Sequence, residues 1–76
     1  PMAWFVTAGG KKVKVTECRV AVSNGEAPGT VLSTKPLTVA CADGAVQLLH
    51  VVPEGKKPMD GTSFAAGLRL KAGDTL

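Results

Sequence analysis

The chain holds a single histidine, His50, two cysteines, Cys18 and Cys41, and no tyrosine. A general acid/base or nucleophilic centre needs a titratable group with a positioned partner, and that pool is poor here. His50 alternates with Val46, Leu48 and Val52, and no sequence pattern sets an acid beside it. A core or surface-grazing histidine is therefore expected, and no residue is assigned a catalytic role. One histidine, two separated cysteines and scattered carboxylates make no metal-ligand set either. The cysteines lack a close ligand spacing and a secretory context, so they read as small buried residues in two strands of a cytosolic protein.

Aromatic residues are as scarce, limited to Trp4, Phe5 and Phe64. Proteins that bind single-stranded nucleic acid commonly stack bases on exposed rings. With so few rings, packing should claim at least two of them, and burial is the favoured reading for Trp4 and Phe5. Being adjacent in a strand, the two must point to opposite sides, so one could instead cover an interface to a preceding domain. No apolar run approaches the roughly 20 residues that span a bilayer. Pro1 to Val6 is too short, and lacks the basic leader, to be a signal peptide. A cytoplasmic location is the expectation. Gly9-Gly10 leads into a strand and not into a helix N-terminus, which makes it a turn and not a phosphate cradle. There is no internal repeat and no low-complexity tract.

What the chain does have is valine and turn residues. At 45% hydrophobic and 20% charged the composition is globular. A chain of this size buries on the order of 60% of its unfolded surface, enough for one small core, so residues 1–76 are expected to form a single domain. Short apolar runs separated by Gly, Pro and Asn predict strands at about 3–7, 11–23, 30–34, 37–42, 45–52 and 68–71. In the second of these Val13 and Val15 share one parity while Cys18, Val20 and Val22 share the other. A bulge near Thr16-Glu17 would restore one apolar face and bend the strand. Asp43-Gly44 predicts a tight hairpin with φ > 0 at the turn. The strand over 45–52 is apolar on both faces, and its second face needs a cover, either a short helix or another domain. Asp60 is a plausible N-cap for one or two helical turns through Ala66, ended by Gly67, with Met59 and Phe64 placed to staple its start. Phe64 is expected to plug one mouth of a small β-barrel.

The net charge of +3 points modestly toward an acidic partner such as RNA. Its carriers cluster. Lys11, Lys12, Lys14 and Arg19 fall in one strand, with Lys12 and Lys14 on the face opposite Val13 and Val15. Lys56 and Lys57 lie in a loop framed by Gly55, Pro53 and Pro58. Arg69 and Lys71 share a parity in the last predicted strand and form a third patch. Lysine is a point-charge contact suited to phosphates more than to base edges. An ordinary solvated strand face explains the first cluster almost as well as a binding face does.

The order and spacing of several segments carry a family resemblance over nearly the whole chain. Gly10-Lys11-Lys12-Val13-Lys14-Val15, Pro28-Gly29-Thr30-Val31, the Asp43-Gly44 turn, Gly55-Lys56-Lys57 with Met59, and then Phe64 and Gly67 together resemble the C-terminal domain of methionyl-tRNA formyltransferases. The resemblance implies an all-β, OB-like barrel of five to six strands with one short helix near residues 60–66. It implies a domain that binds tRNA, the initiator methionyl-tRNA, and carries no chemistry. Lys11, Lys12, Lys14, Lys56 and Lys57 match the family's basic positions and would line a path for the tRNA backbone; Arg19, Arg69 and Lys71 join them on charge and parity alone. The family's catalytic formyltransferase domain, with its Asn, His and Asp site for 10-formyltetrahydrofolate, has no counterpart in these residues. It would be the domain's partner within the same protein and would hold the only cofactor. The competing readings are a structural or substrate-capping module of another formyltransferase, whose basic residues would form no continuous path, and a free-standing nucleic-acid-binding OB domain, which should show more exposed aromatics.

Overall fold

The computed structural model describes residues 3–7 and 9–76; Pro1 and Met2, which open the segment weighed as a leader, lie outside the described residues. Among the described residues six antiparallel strands and one helix follow each other: β1 (Ala3–Val6), β2 (Lys12–Ala21), β3 (Val31–Thr34), β4 (Leu37–Cys41), β5 (Gly44–Pro53), β6 (Met59–Asp60) and α1 (Gly61–Gly67). They form a single sheet in the order β1-β2-β5-β4-β3, with β6 added on β5. The expected all-β architecture with one short helix is therefore present. The sheet does not close into a barrel by strand pairing, because β1 and β3 stand at its two ends. Along β3, the place a closing strand would take is held by the C-terminal tail. Val31 N–H donates to the Asp74 carbonyl at 2.7 Å, Gly73 N–H to the Val31 carbonyl at 2.7 Å, and Leu76 N–H to the Gly29 carbonyl at 2.9 Å. These bonds satisfy an edge that would otherwise present open backbone groups.

Strand β5 is the spine. One of its edges pairs with β2 from Val13↔Pro53 to Ala21↔Ala45; the other is shared by β4 and β6. The predicted bulge is present, in duplicate. Val15 faces Val51 and Cys18 faces Leu48, while Glu17 faces His50, so Thr16 on β2 and Leu49 on β5 are each left without a partner. Leu48 and Val51 both reach the core across the irregularity in β5 although their parities differ. That explains why this strand looks apolar on both sides in sequence.

Val13, Val15, Val31, Leu37, Val39, Leu48, Val51, Phe64 and Ala65 make up the core. Before the bulge β2 alternates as expected, Val13 and Val15 inside and Lys12 and Lys14 outside. Beyond it the expected apolar face is not buried: Val20 is 86% exposed and Val22 88%. The cause is topological. Among the described residues β1 flanks β2 only from Lys12 to Val15, and β5 is the only strand paired with its distal half. Cys18 sits in that half and Cys41 at the end of β4, and both are exposed free thiols, not the buried residues expected from sequence.

The hairpin joining β4 to β5 turns one residue earlier than predicted. Cys41 faces Gly44, so Ala42 and Asp43 form the loop, and the positive φ falls on Gly44 (148°), where a side chain would press on the Ala21 carbonyl oxygen.

The helix begins as predicted. Asp60 is its N-cap, accepting the Ser63 backbone N–H at 2.6 Å. Phe64 and Ala65 turn into the core, and Phe64 meets Phe5 edge to face with ring centroids 6.2 Å apart. The predicted last strand, 68–71, does not form. Leu68 caps the helix, Arg69 adopts a left-handed φ of 55°, and the next two N–H groups fold back: Arg69 onto the Ala66 carbonyl at 3.1 Å and Leu70 onto Ala65 at 3.0 Å. Those two bonds are a Schellman closure, which satisfies two of the helix's last carbonyls and takes up the Arg69 and Leu70 N–H groups that a strand would have offered to a sheet.

Candidate nucleic-acid interface

Alternation on β1 fixes two of the three aromatic rings. Phe5 turns inward to Phe64, so Trp4 and Val6 turn outward, and Trp4 is 59% exposed. Burial, the favoured reading for both rings, holds for Phe5 and fails for Trp4. Across the pair of strands Trp4 faces Lys14 and Val6 faces Lys12. The Lys12 ammonium lies 4.4 Å from the centre of the Trp4 ring, a cation–π contact.

The loop after β5 comes back to this same end of β2. Glu54 N–H donates to the Lys12 carbonyl at 2.8 Å, and Lys56 N–H to the Pro53 carbonyl at 3.0 Å, closing a tight turn with Gly55 at a φ of 75°. Two lysine clusters that lie some forty residues apart in sequence are thereby brought together. Lys12, Lys14 and Lys56 rim a shallow groove of about 320 Å³ floored by Val52 and Pro53. Lys56 and Lys11 also line a second, apolar groove of about 480 Å³ shared with Val13, Met59, Phe64 and Leu68. Lys56 therefore stands between the two grooves and joins Lys11 on one side to Lys12 and Lys14 on the other. Lys57 is exposed in the same loop. Glu54 contributes the one acidic side chain of the smaller groove, where its carboxylate accepts the Lys12 backbone N–H at 3.4 Å.

The other basic candidates are not gathered there. Arg19 faces Gln47 on the distal half of β2, five residues beyond Lys14 and so roughly 17 Å away along the strand. Arg69 is committed to the helix closure, and the Lys71 N–H is held by the Asp74 carboxylate at 2.9 Å. None of the three lines either groove. The shared parity assigned to Arg69 and Lys71 loses its basis once the strand over 68–71 is replaced by a turn.

His50, unpaired in any sequence pattern, does find an acid. Its Nε2 lies 3.3 Å from Glu17 Oε1, both side chains more than half exposed, because the bulge brings Glu17 directly opposite it. A single exposed pair of this kind contributes at most about 1 kcal/mol. Among the described residues no group of three or more His, Cys, Asp and Glu side chains converges as metal ligands would, and no helix is long and apolar enough to cross a membrane.

Residues 1–69 match the family model described as "Formyl transferase, C-terminal domain". Methionyl-tRNA formyltransferase of Jannaschia sp. is 47% identical over 76 residues, which is 100% of this chain and 24% of that protein. That of Bradyrhizobium diazoefficiens is 42% identical over 96% of the chain and 24% of its own length, and that of Myxococcus xanthus 42% identical over 91% and 22%. The chain thus spans about a quarter of the length of these relatives. The motifs that carried the resemblance in the sequence fall inside the matched segment, and the chain belongs to the formyl transferase C-terminal domain family.

Proposed function

We propose that this chain is the tRNA-contacting domain of a cytoplasmic methionyl-tRNA formyltransferase and that it works by electrostatic positioning. Lys11, Lys12, Lys14, Lys56 and Lys57 hold the phosphate backbone of the initiator methionyl-tRNA. A separate catalytic domain of the same protein transfers the formyl group from 10-formyltetrahydrofolate, and this chain, with no catalytic residue and no cofactor of its own, orients the aminoacyl end toward it. The observation that carries the reading is the convergence of the β2 and post-β5 lysines around two adjoining grooves, with Lys56 common to both. A structural or capping module would leave its basic residues scattered. Here four of them meet at one end of the molecule, and Arg19, Arg69 and Lys71 stand apart as ordinary solvated charges.

Phosphate contacts position the ligand and carry no sequence information. Binding should therefore be weak and general. With three to five phosphates neutralised, log K falls against log salt with a slope of about −2 to −4, at roughly micromolar affinity. Replacing Lys56 and Lys57 together by Ala should make that slope shallower by up to about two units and weaken initiator and elongator tRNA equally. The check is a titration of both tRNAs at several salt concentrations. A double variant that binds like the parent at low salt removes the loop from the site, and a loss confined to initiator tRNA shows that the loop reads identity.

A further inference from the structure

The geometry points to Trp4 as a stacking platform for one unpaired RNA base, with Lys12, Lys14 and Lys56 taking the phosphates that flank it. This inference rests on the reading of the chain as an RNA-contacting domain and adds to it a residue that the charge argument does not use. Strand alternation obliges Trp4 to face outward but does not oblige the position to be tryptophan, since any polar side chain satisfies an outer strand face. The chain nevertheless places its single tryptophan there, 59% exposed, while its two other rings are spent on the core.

The surroundings of that indole name its ligand. Lys14 stands directly across the strand pair from it, Lys12 lies 4.4 Å over its ring, and Lys56 completes the rim of the groove beyond them. A flat apolar ring with one ammonium group over it and two further lysines along the adjoining groove is complementary to a flat base bordered by phosphates. An apolar protein surface laid on the same spot would bury those ammonium groups without partners, which is unfavourable. The cation–π contact at an exposed site is weak. Lys12 is accordingly free to swing onto a phosphate as the base takes its place on the ring. A paired base inside a duplex has no open face to offer, so the platform selects an unpaired nucleotide.

Because Trp4 is the only tryptophan, its emission reports on this position alone. The chain is titrated at low salt with oligouridine, with tRNA and with a blunt RNA duplex, following Trp4 fluorescence and, in parallel, the anisotropy of labelled RNA. Quenching is expected with oligouridine and tRNA along the same isotherm as the anisotropy, and little with the duplex. Trp4→Ala should weaken the single strand on the order of 10-fold, leave duplex binding and the salt slope unchanged, and Trp4→Phe should recover most of the loss. Circular dichroism of both variants checks that the exposed substitution leaves the sheet intact. If RNA binds without changing Trp4 emission, or Trp4→Ala binds the single strand as tightly as the parent, the platform is overturned while the lysine path survives. Quenching by a protein partner but not by RNA overturns it in the same way. If no RNA binds at low salt, the proposed function and the platform fall together.

Discussion

Gly61 is the residue on which the packing of the helix depends. It opens α1 against β5, and a Cβ there would overlap the Leu48 carbonyl oxygen, a backbone atom that cannot step aside. Gly61→Ala should therefore destabilise the chain by about 2–3 kcal/mol, a large share of what so small a core can supply. Gly67, at the other end of the same helix, has open space where a Cβ would go. There Ala should be neutral or stabilising by up to about 1 kcal/mol, since it is the better helix former. Urea denaturation of the two variants checks both, and equal effects would remove the steric account. At this scale sequence was a poor guide. Nothing local marks Gly61 as the tight glycine, because the atom it must avoid belongs to a strand more than ten residues earlier. Gly67 looked like the end of the helix, yet the left-handed position went to Arg69, held by two backbone bonds that no side-chain type announces.

Among the elements, the helix N-terminus was the most legible, since an Asp cap is a local signal read by local bonds. Its chemistry gives a pH dependence. The Ser63 backbone N–H, followed by the Ser63 hydroxyl, holds the Asp60 carboxyl below its ordinary value of 3.8; burial opposes them, and the nearby His50 helps to a lesser degree. A carboxyl whose folded pKa is depressed contributes stability that is complete above the unfolded value and is lost as pH falls through the folded one. The parent should thus shed this contribution below about pH 3.8. Asp60→Asn keeps the cap acceptor but has nothing to protonate, so any advantage of the parent in Tm at pH 6 should vanish toward pH 2. Thermal melts by circular dichroism across that range test it; a constant difference would sink the assignment. Strand positions were legible wherever parity met a core. The bulge at Thr16 could be read from the slip in β2, but the exposure of Cys18, Val20 and Val22 could not, because it depends on how far β1 extends along its neighbour.

For the whole molecule, each basic cluster was visible in the sequence and their meeting was not. Residues 11–14 and 54–57 become neighbours only because β2 pairs with β5 in the register that sets Val13 against Pro53, and no local pattern encodes that register. The arrangement ranks the two loop lysines. Lys56 lines both grooves and Lys57 neither, so Lys56→Ala should weaken RNA binding several-fold and make the salt slope shallower by about one unit, while Lys57→Ala should do clearly less. Equal losses would show that the loop acts as a diffuse charge and not through a placed contact.

The two unpartnered residues of the β2–β5 ladder have a consequence for how this sheet can change over time. From Val15 to Cys18 is three steps, and from Val51 back to Leu48 is also three, so the extra residue on one strand is cancelled by the extra residue on the other and the pairs beyond resume their original count. Deleting Thr16 alone, or Leu49 alone, would carry every later pair one place out of step and turn its side chains to the opposite face. Deleting both would leave the count intact. The two strands act as each other's tally, and a lasting change of length in one requires a matching change in the other.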